Sequence, residues 1–187
     1  MIFYERFRFA TPPRTGSVWF VEAVVAIGMA GPVYHTAVVH EPFPPVPYDP
    51  TKLPRVTLVR HPCDWLASLW GSIYPQRVCE PMNELCSLAD GGAFETFDDF
   101  IRAMLDWRPG AVGEIFSWFA AEFYLRTDYI RQDLYELCQS LGISVRGKFP
   151  PPRNLRSVQV QWDSDLWAQV VKSEREWIER HGLVARR

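Results

Sequence analysis

The chain has 187 residues, 48% of them hydrophobic, which suits a single domain with a substantial core. Its formal net charge of -2 gives no overall attraction to nucleic acid or to an anionic membrane, so any anion site has to be built locally. No apolar stretch approaches the roughly 20 residues of a membrane helix, and MIFYERFRF at the amino end lacks a basic-then-apolar layout, so the expectation is a cytoplasmic protein with neither nucleic acid nor membrane as partner.

In chain order, residues 3–10 read as a first strand and 17–28 as a helix that ends around Gly28 and Gly31. GPVYH, 31–35, reads as a short second strand, and the prolines of 41–54 forbid regular structure there. RVTLVR, 55–60, is a β-branched apolar run of the buried parallel type. His61 and Pro62 open a helix that reaches about Tyr74, since proline is favoured at the first helical position. After an irregular 75–93 segment, 94–107 forms a helix with Thr96 as N-cap and Asp98 and Asp99 in its first turn. GEIFSWFAAEFYL, 113–125, is helix-like and passes into a strand near 124–127. An amphipathic helix over 129–143 stops at Gly142, FPPPRN breaks the chain at 149–154, and a last helix spans 163–181 before a basic tail. The alternation predicts a three-layer α/β sandwich with a mainly parallel sheet, in one domain over 1–187. Cys63, Cys79, Cys86 and Cys138 form no CxxC pair and no zinc spacing with histidine, so they read as buried thiols.

Two stretches carry chemistry. TPPRTGSVWF, 11–20, follows the first strand and opens a helix, the arrangement that aims backbone N–H groups at an oxyanion. Gly16 permits a tight curl, Thr15 and Ser17 bring hydroxyls, and Arg14 brings a permanent cation with a planar fork of donors. The lysine and Ser/Thr that magnesium-dependent NTPases place after the last glycine are missing, as is a strand-end aspartate for the metal, so no metal is expected. The second stretch, VTLVRHPCDWLASLW, sets Arg60 at the carboxyl end of a strand and Ser68 eight residues on, in the next helix. Carboxyl strand ends are where open α/β sheets gather ligands, and an arginine with a serine there makes a second phosphate clamp. Taken singly, the loop also fits a plain strand-to-helix turn capped by serine, and Arg60 fits a salt bridge with Asp64.

Together the two stretches resemble the sulfotransferases. PPRTGSVW is similar to that family's 5′-phosphosulfate loop, and VTLVRHPCDWLASLW to its 3′-phosphate motif of strand, R-x-P-x-D and a later serine. YLRTDYIRQDLYELCQSLGI resembles a further segment of the family, and EREWIERHGL its closing helix. The resemblance implies a P-loop NTPase-like sulfotransferase fold and an enzyme that moves a sulfuryl group from 3′-phosphoadenosine 5′-phosphosulfate (PAPS) to a hydroxyl or amine. It implies that Arg14, Thr15, Gly16, Ser17 and Val18 surround the phosphosulfate, that Arg60 and Ser68 hold the 3′-phosphate, and that Trp19 lies against the adenine. Arg14 would also neutralise charge on the leaving phosphate oxygen. Val18 departs from the pattern, which has a threonine there, and RGK at 146–148 is only a faint counterpart of the family's basic glycine segment. With Arg153 and Arg156 it reads more simply as a solvated basic loop.

Transfer to a hydroxyl gains from a base. Branches of the family use a glutamate in the zone after the loop; here that zone reads VYHTAVVHEP, which makes His35 the first candidate and His40 the second. The acceptor is a small molecule or glycan of unspecified identity, and oligomeric state is not encoded in any pattern. Two other readings share the fold: an ATP-dependent phosphotransferase of the wider P-loop group, and a nucleotide-binding module without turnover.

Overall fold

The computed structural model describes residues 2–29, 34–35, 52–73, 94–151 and 160–184. The chain packs as two compact units, Met1–Arg60 with Glu114–Asn154, and His61–Gly113 with Leu155–Arg187. His40, Cys79, Cys86, Arg153, Arg156, most of the proline-rich 41–54 stretch, the 75–93 segment and residues 185–187 lie outside the described residues.

The first unit is built on a mixed five-stranded sheet in the order β3-β1-β2-β4-β5. The single strand expected over 3–10 is instead a hairpin of β1 (Ile2–Phe3) and β2 (Arg8–Phe9). Glu5 and Arg6 are exposed at its turn, while the Tyr4 N–H donates to the Phe7 carbonyl at 2.9 Å and the two rings meet at 4.7 Å. The charged pair interrupts the apolar run, and folding the chain back buries both flanking aromatics. β2 is parallel to β4 (Arg55–Val59), and β4 to β5 (Phe123–Arg126). β1 is antiparallel to both β2 and β3 (Tyr34–His35), so β3 points the same way as β2, β4 and β5. The chain is thus a mixed α/β protein with three adjacent parallel strands.

Two helices pack on this sheet in one buried cluster. α1 (Ser17–Ala26) contributes Trp19, Phe20, Ala23 and Val24, and Phe20 stacks on Phe9 with ring centroids 4.1 Å apart. Burying such a side chain contributes about 1.5–3 kcal/mol. The second of them, α5 (Ile130–Ser140), contributes Leu134, Leu137 and Cys138. It stops where expected: Gly142 takes φ 66 and lets the Ile143 N–H return to the Cys138 carbonyl at 2.8 Å.

In the second unit α2 (Pro62–Ile73) starts at its proline, and His61 caps it, Nδ1 accepting from the Cys63 N–H at 3.3 Å. α3 (Phe97–Trp107) is capped by Thr96, whose hydroxyl accepts from the Asp99 N–H. α4 (Ala111–Ser117) begins and ends earlier than the 113–125 stretch predicted, and the boundary between the units falls inside it. The last helix expected over 163–181 is two, α6 (Ser164–Ser173) and α7 (Arg175–His181), broken at Glu174. The Glu174 carboxylate is buried and accepts from the Val112 and Gly113 N–H groups at 2.9 and 2.8 Å, serving the otherwise open first turn of α4. Cys63 and Cys138 are buried thiols. Among the described residues no helix is long and apolar enough to cross a membrane.

Candidate anion-binding site

The loop between β2 and α1 leaves the carboxyl edge of the parallel strands. Beyond Phe9 the chain stays beside β4: the Ala10 N–H donates to the Val56 carbonyl at 3.3 Å, and the Thr11 hydroxyl accepts from the Leu58 N–H at 3.3 Å. The Thr15 hydroxyl lies 2.7 Å from both the Thr11 hydroxyl and the Pro12 carbonyl. Thr15 donates to Pro12, which leaves Thr11 to donate to Thr15. Both threonines are fully buried. The Thr15 side chain, expected to offer its hydroxyl to the anion, instead stitches the loop to itself, and Thr11 ties the loop to β4.

The rest of the loop is wound tightly. Arg14 has φ 65 and Gly16 φ 95, both left-handed, a region a glycine enters freely and an arginine does not. From the carboxyl end of β4, Arg60 Nη1 donates to the Arg14 carbonyl at 2.9 Å. Thr127, just past β5, directs its hydroxyl at the Thr15 carbonyl at 2.8 Å. Partial burial pulls the Arg14 guanidinium below its usual pKa, and an anion beside it would reverse that pull.

α1 then begins at Gly16 with no side-chain cap. Its first intrahelical bond runs from the Phe20 N–H to the Gly16 carbonyl at 3.0 Å, so the N–H groups of Ser17, Val18 and Trp19 precede the ladder. Those groups, the positive end of the helix dipole and the Arg14 cation make the loop a candidate seat for an anion. Ser17 is half-buried, and the Val18 side chain is 57% exposed, so its share in the seat is its backbone N–H. Trp19 is 7% exposed: it packs in the core, and its Nε1 donates to the Pro151 carbonyl at 3.1 Å. Little of its face is left for stacking on a base.

His35 is the last residue of β3, level with Ile2, and through Ile2 with Phe9. It therefore ends on the same edge of the sheet from which the loop springs, two strand spacings or about 10 Å along it. Ser68 is half-buried on α2, in the second unit. Arg146 and Lys148 are exposed, and the segment carrying them packs at the carboxyl end of α1: the Arg146 N–H donates to the Ile27 carbonyl at 3.0 Å. Since α1 is ten residues long, that lies about 15 Å from the loop, in keeping with a solvated basic segment. Among the described residues no cluster of three His, Cys, Asp or Glu side chains offers a metal cage.

Sequence reasoning missed Thr11 and Thr127. Both lie within stretches quoted above, Thr11 at the head of 11–20 and Thr127 in 124–143, but each acts on a partner more than 40 residues away, Thr11 on Leu58 and Thr127 on Thr15. Comparison of the chain with family models, with curated proteins and with solved structures gives no match.

Proposed function

We propose that the chain is a sulfotransferase of P-loop-like fold whose loop at Arg14–Ser17 receives the phosphosulfate of PAPS, with a hydroxyl or amine of a small molecule or glycan as acceptor. The observation that carries this reading is the Arg60–Arg14 hydrogen bond, which joins the two motifs across 46 residues. In this reading the acceptor oxygen or nitrogen bonds to sulfur as the sulfur–oxygen bond to the phosphate breaks. The electron pair goes to that phosphate oxygen. Arg14 and the N–H groups from Gly16 onward offset the charge gathering there. The proton leaving the acceptor passes to a base, for which His35 is the candidate, as its strand ends on the loop's edge of the sheet. Arginine at 14 supports charge neutralisation and not proton donation, because a guanidinium hardly deprotonates.

A binding module without turnover has one observation in its favour. The Thr15 hydroxyl is committed inside the loop and Val18 has none, so two hydroxyls that would grip the transferred group are missing. Titration calorimetry with 3′-phosphoadenosine 5′-phosphate and with ATP plus magnesium, followed by release of the same product from PAPS in the presence of candidate acceptors, separates the readings. Binding that prefers the 3′-phosphate and is accompanied by product release supports the transferase. Binding alone supports the module, and preference for magnesium and ATP returns the loop to phosphoryl chemistry.

A further inference from the structure

The Thr15–Gly16 peptide sits at the bend of the loop, and its orientation decides where the Gly16 N–H points. In a trans peptide the carbonyl of one residue and the N–H of the next point in opposite directions. Whatever holds the Thr15 carbonyl therefore aims the Gly16 N–H the other way. Thr127 is that holder. Its Oγ1 is 2.8 Å from the Thr15 carbonyl and 3.0 Å from the Val59 carbonyl, one proton facing two acceptors with the loop the nearer. A methyl added at Gly16 would lie 3.8 Å from Thr127 Cγ2, so the methyl branch of Thr127 lies near the bend as well.

Thr127 is itself held firmly. It opens a short 3-10 turn, Thr127–Tyr129, between β5 and α5. The residue before it, Arg126, is fixed to the buried carboxylate of Asp133 by its backbone N–H at 2.7 Å, by Nε at 3.0 Å and by Nη2 at 2.7 Å. The Arg126 guanidinium also lies 4.7 Å over the Tyr129 ring. The hydroxyl thus reaches the loop from a turn anchored independently of it.

We infer that Thr127 is a positioning residue: its hydroxyl fixes the Thr15–Gly16 peptide so that the Gly16 N–H joins those of Ser17 and Val18 in holding an anion. The inference rests on the anion-seat reading above and names a residue that neither of the two motifs contains. Arg60 holds the preceding carbonyl, of Arg14, in the same manner. Two successive peptides are then oriented from two successive strand ends, Val59–Arg60 and Arg126–Thr127. The left-handed conformations of Arg14 and Gly16 are the backbone counterpart of that arrangement.

The test compares wild type, Thr127→Val and Thr127→Ser by calorimetric titration with 3′-phosphoadenosine 5′-phosphate and with inorganic pyrophosphate, while the Gly16 amide resonance is followed by NMR. Expected is a loss of about tenfold in affinity for both probes in Thr127→Val, the factor that one ordinary hydrogen bond converts to, with recovery in Thr127→Ser. In wild type and Thr127→Ser the Gly16 amide proton moves downfield as the anion binds, and in Thr127→Val it does not. A purely structural role would change the melting temperature without abolishing that response. Nucleotide binding by wild type that Thr127→Val leaves unchanged overturns the inference and leaves the donor site standing. Pyrophosphate binding that depends on Thr127, without nucleotide binding, keeps the inference and removes PAPS. A wild-type Gly16 amide that ignores the anion while its neighbours respond overturns the inference even if Thr127→Val does not fold. Binding of neither probe by wild type overturns both readings.

Discussion

Arg60 Nη1 lies 2.9 Å from the Arg14 carbonyl, so the arginine that ends β4 grips the backbone of the residue that supplies the loop's own cation. A guanidinium that merely balanced a nearby carboxylate would not shape the loop. This one fixes a carbonyl in a left-handed residue, φ 65, that an L side chain rarely adopts.

That conformation separates backbone from charge at position 14. Arg14→Ala and Arg14→Gly both remove the cation, but glycine takes the left-handed conformation without steric cost. Arg14→Gly is expected to be more stable than Arg14→Ala by about 1 kcal/mol, while both lose affinity for anions. Chemical denaturation of the pair, with calorimetry alongside, reads the two effects apart. Equal stability would mean that position 14 is not held left-handed in solution.

Gly16→Ala gives the converse. Space is available, the nearest atom to the added methyl being 3.8 Å away, so the cost comes from φ 95 alone. A destabilisation of about 1–2 kcal/mol is expected, read as a lower denaturation midpoint with an unchanged slope.

Glu174 joins the second unit by accepting from Val112 and Gly113. Truncation to alanine leaves two buried N–H groups without an acceptor, at about 1–3 kcal/mol each. Burial raises the Glu174 pKa above 4.5 against the opposing pull of those two hydrogen bonds. The sign follows: the carboxyl is more readily protonated in the fold, so its titration adds stability that is complete below pH 4.5 and lost as pH rises through the folded value. The stability of wild type relative to Glu174→Gln should therefore shrink from acid toward neutral pH in denaturation curves. A difference that grows instead would contradict the assignment.

His181 titrates with the opposite sign. Desolvation by burial, with Arg180 adding to it, lowers its pKa from 6.5 to about 4. The neutral imidazole, packed 4.1 Å from the Trp177 ring, is the form the fold prefers. Its contribution is present above pH 6.5 and is lost as pH falls to about 4. His181→Phe should flatten the fall in stability across that window, measured by thermal melts at several pH values.

The elements with local punctuation were legible in the sequence. RVTLV is β-branched, Pro62 marks a first helical turn, Thr96 caps with Asp98 and Asp99 following, and Gly142 ends α5. The breaks set by distant partners were not. Nothing within 163–181 announces that Glu174 leaves the helix to meet Val112 and Gly113, some 60 residues earlier. The antiparallel β1 between β3 and β2 depends on a turn at Glu5 and Arg6 that a period-two reading runs straight through. Within the candidate site, the two motifs were legible in order and Arg60 was read as a clamp for a second phosphate, but its bond to the Arg14 carbonyl was not. The inward turn of the Thr15 hydroxyl and the part of Thr127 were not either, since both depend on carbonyl directions that residue types do not encode.

The most direct test of the central claim is the affinity of wild type and Arg60→Lys for 3′-phosphoadenosine 5′-phosphate and for adenosine 5′-phosphate, measured by calorimetry. If Arg60 both shapes the loop and reads a second phosphate, wild type prefers the bisphosphate. Lysine, a point charge without the planar fork, then loses more affinity for the bisphosphate than for the monophosphate. Equal affinity of wild type for the two nucleotides, or binding of neither, would contradict the donor-site account and leave Arg60 as a brace for the loop alone.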